Sequence, residues 1–337
     1  MRMIRKLSLY LIPLLLFSCG NNPLDVDVSQ IKVEPVKIER FEQDFFSLNA
    51  DNIVQKLSEL KKKYSGFTEL YVRNILCHGG IDDSACIPEI TRFVNDKDMR
   101  DAFEETQKKF PDLKNIETET EELFRHEKYY FPQKKLPRIF TMMSGFNYSI
   151  ATADSIYAIG LEKYLGRKNK FYEMLQIPEY AQRTMSKEYI VPDFLRAWMM
   201  REFPNGNKSG NLLSEMIYQG KLLYIADAML PRTNDTLKIG FTKKQLGWCI
   251  ENEKNIWGLF IKNKFLYSSE LDVISKFTGE GPFTAGLAKE SPARTGVWLG
   301  WRIVRSYMKA NPKISLEELM KENDAQKILS LSKYKPE

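Results

Sequence analysis

The sequence has 337 residues, 43% hydrophobic, 12% aromatic and 28% charged, a globular composition that excludes a disordered or low-complexity chain. Its 50 basic and 44 acidic residues are interleaved, so the formal charge of +6 reads as a solvated surface and no nucleic-acid partner is expected. Two histidines, His78 and His126, exclude any site that needs three and disfavour paired-histidine zinc chemistry.

The N-terminus carries a targeting signal. Arg2, Arg5 and Lys6 precede an apolar run from Leu9 to Phe17, too short to span a bilayer as a helix and suited to a signal peptide. The run ends Ser18-Cys19-Gly20, which resembles the lipobox of bacterial lipoproteins. That resemblance implies cleavage before Cys19, acylation of its sulfur and amine, and a membrane-anchored protein facing the periplasm or the outside. Removal of Arg2, Arg5 and Lys6 halves the positive excess. The predicted organisation is a signal peptide over 1–18, a polar lipidated tether over 19–32 and a single α-rich domain over 33–337. No later stretch is apolar for long enough to cross a membrane again.

In the body, Val33 to Arg40 places Val36 and Ile38 in period two as a strand, which Pro35 confines to a sheet edge or a strand start. Helical periodicity follows over Asn52–Lys63, Phe67–Leu76, Met99–Phe110 and Leu113–Tyr130. Between Cys77 and Cys86 the chain is rich in turn formers; an oxidising compartment favours a disulfide or free thiols there over a metal site. Arg138–Met143 and Ser155–Leu161 are strand-like, separated by a segment of turn chemistry. Helices then return over Pro192–Phe203, Leu212–Leu230, Lys243–Lys264, Ala293–Lys309 and Leu316–Lys321. Thr242 with Gln245, and Ser315 with Glu318, fit capping boxes. Cys249 reads as a buried small hydrophobe. The expected fold class is α+β, predominantly α-helical, with a small sheet.

Three segments invite a chemical reading. His126-Glu127-Lys128-Tyr129-Tyr130 begins like the H-E-x-x-H zinc helix, but Tyr130 replaces the second histidine and the segment reads as a solvated helix face. Val191, Phe194, Leu195, Trp198 and Met199 form a buried stripe, with Pro192 and Asp193 in the first turn. Gly220 sits inside the next helix, where glycine costs about 1 kcal/mol relative to alanine, a cost consistent with close approach of another backbone.

This helix–turn–helix resembles a bacterial family of predicted zinc-dependent proteases of zincin-like arrangement. The resemblance places the lost metal and base positions on Pro192, Asp193, Arg196 and Gln219, and implies a degenerate zincin-like domain with no metal, no cofactor and no catalytic residue. An old substrate cleft between the sheet and the Pro192 helix is the corresponding binding groove.

Farther on, Gly296 and Gly300 clear one helix face beside Trp298 and Trp301, while Arg294 and Arg305 seek carboxylates. The segment reads as a packed structural helix with ion pairs or, alternatively, as a partner-binding surface. Taken with the lipobox, Lys37–Phe46 and Lys128–Pro132, it closely resembles the GldB-type gliding-motility lipoproteins of Bacteroidota. The resemblance implies a non-catalytic, lipid-anchored envelope component working with motility and type IX secretion proteins. The alternatives are a peptide- or glycan-binding lipoprotein and a cryptic hydrolase.

Overall fold

The computed structural model describes residues 22–49, 51–77, 79–83, 85–206 and 209–336. Cys19, the expected lipid attachment point, lies outside the described residues. Four strands, β1 (Glu39–Arg40), β2 (Arg138–Met142), β3 (Ile150–Ala153) and β4 (Ile156–Gly160), form one sheet in the order β1-β2-β4-β3. β1 and β4 run parallel to β2, and β3 closes the edge antiparallel to β4 with Ala151 opposite Ala158. The fold class is α+β with a small sheet, as expected.

Alternation along the strands sends side chains to two cores. Phe140, Met142 and Ala158 pack into one cluster with α1 (Ile53–Lys63), α2 (Phe67–Tyr71), α3 (Cys86–Asn95) and α4 (Lys97–Lys109). Here Phe67 stacks on Phe140 at 4.3 Å between ring centroids. Ile139, Tyr157 and Ile159 pack into the other, with α5 (Lys114–Tyr130), α6 (Ile190–Glu202) and α7 (Leu212–Met229). The same cluster takes in α8 (Lys243–Glu251), α9 (Glu253–Lys262), α10 (Leu271–Thr278), α11 (Thr295–Ala310), α12 (Leu316–Lys321) and α13 (Ala325–Ser332). The stripe read from the sequence is the core face of α6: Val191, Phe194, Leu195, Trp198 and Met199 are all buried. Helix α7 is buried almost all round, as a helix without a polar face must be. It crosses α11 where Gly220 meets Gly300. Both capping boxes form, at the starts of α8 and α12.

Some elements differ from the reading. The strand expected over Val33–Arg40 shrinks to Glu39–Arg40. The single helix over Lys243–Lys264 breaks at Asn252, whose side-chain amide donates to the Trp248 carbonyl at 2.9 Å and ends α8. The segment between the two expected strands holds β3. Residues 22–32 are irregular, but they are not a free tether: Val28 is buried, and the Tyr130 hydroxyl donates to the Leu24 carbonyl at 3.3 Å. Among the described residues, no helix is long and apolar enough to cross a membrane.

Candidate functional site

The site is built on α6, α7 and the first turn of α11. Pro192 and Arg196 lie one turn apart on α6 and so share a face. Asn211 caps α7 by accepting from the Ser214 N–H, which sets the helix that presents Gln219. The Arg196 guanidinium donates to Gln219 Oε1 at 3.3 Å, and Gln219 donates in turn to Glu215 at 2.8 Å. Pro192, Arg196, Gln219 and Arg294 line one crevice, with Leu195, Leu222 and Val297 as apolar wall. Thus three of the four degenerate positions meet in space, joined by Arg294 from far along the chain. Asp193 makes its hydrogen bond elsewhere, accepting from the Tyr164 hydroxyl at 2.9 Å, and burial pushes its carboxyl up to about 6.

Arg294 is held in a conformation unusual for its type. Its φ is +61°, in the left-handed region, where it serves as N-cap residue of α11 without a side-chain cap. Its guanidinium pairs with Glu280 and donates to the Ile239 carbonyl, while its Nε is buried without a partner among the described residues. Arg183 approaches the same region and donates to the Gly240 carbonyl at 2.8 Å. Among the described residues, neither Arg183 nor Arg196 has an ion-pair partner. Sequence reading missed Arg183 and Glu280, whose distance along the chain leaves no signal.

The expected partner-binding set is corrected. Trp298 and Trp301 are 2% and 1% exposed, because the face of α11 that carries them packs into the core. Arg305 makes a bidentate pair with Asp227 at 2.7 Å through both nitrogens, and its guanidinium lies 3.7 Å from the Trp301 ring centroid. Trp301 Nε1 also donates to Asp227, at 2.9 Å. Lys238 completes the cluster at 3.0 Å from Asp227. These residues are the packed, ion-paired helix rather than an open surface.

Two further readings fail. The cleft expected between the sheet and α6 is filled: Phe194 meets Tyr157 edge-on at 5.5 Å, and Trp198 and Met199 are buried. The segment from His126 is not a solvated face either. His126 and Glu127 are buried while Lys128 and Tyr129 stay exposed, and burial lowers the His126 pKa although Glu122 lies 3.7 Å away. Both Glu127 oxygens lack a partner among the described residues, and burial raises its carboxyl to about 7. Cys77 and Cys86 are joined in a disulfide, with Cα atoms 6.0 Å apart. Cys249 is a buried free thiol. Among the described residues, no three His, Cys, Asp or Glu side chains are grouped as metal ligands.

The family model described as gliding motility protein GldB matches residues 21–336, nearly the whole chain. The chain belongs to the GldB family. Membership implies a lipoprotein with a role in gliding motility. No curated protein and no solved structure matches it. In this GldB-type lipoprotein the matched region contains the crevice, the Asp227 cluster and the disulfide, so all three belong to the family domain.

Proposed function

We propose that this chain is a non-catalytic, lipid-anchored envelope component that holds a partner of the gliding and type IX secretion apparatus. Its domain is a degenerate relative of the zincin-like peptidases, anchored through lipid on Cys19. One observation carries the reading: Pro192, Arg196 and Gln219 converge on one crevice, as the metal positions of the peptidase resemblance require, yet none is a Cys, His, Asp or Glu, the ligands zinc takes. A proline offers no lone pair, an arginine repels a cation, and Asp193, at the base position, is held by Tyr164 instead.

The burial of Trp298 and Trp301 weighs against an aromatic glycan platform. The test is mild cross-linking in native membranes, purification through a C-terminal tag and identification by mass spectrometry. Near-stoichiometric recovery of motility or secretion subunits is the expected result. Recovery of the protein alone would overturn the scaffold role. A hydrolytic turnover lost in an Asp193→Asn variant would overturn its non-catalytic character.

A further inference from the structure

Three arginines, Arg183, Arg196 and Arg294, approach the crevice between α6, α7 and α11. The carboxylates nearby are engaged elsewhere: Glu280 by Arg294, Asp193 by Tyr164 and Glu215 by Gln219, so none of them forms an ion pair with Arg196. Lys238 also lines it but is neutralised by Asp227 and Asp235. Arg196 is solvent-exposed, and its guanidinium hydrogen-bonds the neutral Gln219 rather than a carboxylate.

Two independent features add to Arg196. Arg294, only 8% exposed, keeps its Nε–H buried without an acceptor among the described residues. A donor left so is unfavourable, and an incoming acceptor would relieve it. The first turn of α11, which lines the crevice through Val297, has neither a side-chain cap nor an acidic residue. A helix start in that state carries unanswered N–H groups and partial positive charge. Leu195 and Leu222 make the rest of the wall apolar. The enclosed space is only about 20 Å³, room for little more than one water-sized group, so one oxygen of a ligand would enter and the rest would lie at the mouth.

We propose that this crevice binds the carboxylate of an apolar, peptide-like ligand, with Arg196 as the anchoring fork and Arg294 Nε as the buried donor. A guanidinium matches a carboxylate through two parallel hydrogen bonds, which a tetrahedral phosphate in so narrow and apolar a space does not exploit as well. Arg196, at a position that in a metallopeptidase would hold the metal, here receives the carboxylate instead. The inference rests on the partner-holding reading above and gives the chemistry of the held group.

The test uses the full lipoprotein in detergent micelles, titrated with N-acetyl-leucine, with N-acetyl-leucinamide and with inorganic phosphate, at matched ionic strength. Saturable heat and a raised Tm with the acid alone are expected. Arg196→Gln should weaken acid binding at least about tenfold, the loss of one charged hydrogen-bonded pair. Arg196→Lys, which keeps the charge but not the fork, should fall between. Arg196 is exposed, so both variants should keep the ligand-free Tm of the parent; if Arg196→Gln does not, Arg196→Lys decides alone. Equal binding of acid and amide, unchanged binding by the variants, or tighter binding of phosphate each overturns the proposal. Absence of acid binding beside successful partner capture fails this inference and leaves the envelope role standing; acid binding without capture does the reverse.

Discussion

Gly220 of α7 and Gly300 of α11 meet backbone against backbone, so that a methyl group on either would overlap the other helix. On Gly300 it would run into the Met216 carbonyl, and on Gly220 into Gly300 itself. The neighbours are backbone atoms of two buried helices, which cannot rotate away as a side-chain tip can. Gly300→Ala should therefore destabilise by about 3 kcal/mol or more, overpacking outweighing the roughly 1 kcal/mol gain in helix propensity. Gly247→Ala is the internal control. It lies within α8, and a Cβ there meets nothing within 4 Å, so the variant should be neutral or stabilised by up to about 1 kcal/mol. Urea unfolding of both variants checks the pair. Equal effects would mean that the crossing has slack.

Asp227 is 4% exposed and takes Arg305, Lys238 and the Trp301 indole at once. Removing it leaves Arg305 and Lys238 only the partly exposed Asp235, at 2.9 and 3.5 Å, and takes away the acceptor of the Trp301 indole. Asp227→Ala should cost about 3 kcal/mol, the low end for a broken buried pair. Arg305→Lys should cost less, since one hydrogen bond of the bidentate pair survives. If instead the two variants lose the same stability, Arg305 contributes through its packing on Trp301 rather than its charge.

The contrast between these two contacts shows what was legible in the residues. Periodicity marked the buried face of α6, and Gly220, Gly296 and Gly300 announced a close helix crossing before any partner was known. Both capping boxes were readable because each involves residues three apart. Asp227 was not, because nothing local distinguishes a buried acid in an apolar helix from an exposed one. β3 escaped because Ile150–Ala153 is four residues of small and mixed character among turn formers, and its pairing with β4 is tertiary. His126 and Glu127 misled in the opposite direction. Their charged neighbours suggest water, but the side of α5 that carries them is turned to the core. In the site, Arg196 and Gln219 were placed by a resemblance; that Arg294 joins them is a product of the α7–α11 crossing.

The Cys77–Cys86 disulfide closes a short loop beside α3, and both cysteines are buried in the cluster that holds Ile81 and Val94. A loop of this length restricts the unfolded chain by about 2–3 kcal/mol in the entropy view. Cys86→Ser should lower stability by that amount. Reduction of the parent protein should reproduce the loss, and reduction of the variant should add nothing. Denaturant midpoints with and without reductant measure it.

Glu127 makes stability depend on pH with a definite sign. Burial raises its carboxyl from 4.5 to about 7 in the folded protein; Lys134 opposes the rise, Glu202 supports it and Lys128 opposes it. The folded state thus holds the proton more tightly than the unfolded chain, and stability falls as pH rises from about 4.5 to 7. The full cost above that window is about 3 kcal/mol, since each tenfold change in proton affinity is worth about 1.4 kcal/mol and the residue is fully buried. Glu127→Gln, which cannot ionise, should remove this component. Asp193 is also raised, to about 6, and contributes a slope of the same sign in both proteins. Subtracting variant from parent therefore isolates Glu127. Urea unfolding at pH 5 and pH 8 should show the variant losing about 2.5 kcal/mol less than the parent between the two conditions, the part of the window that lies above pH 5. An unchanged difference would show that Glu127 gains a partner or water on ionising, and that its buried oxygens are not left bare.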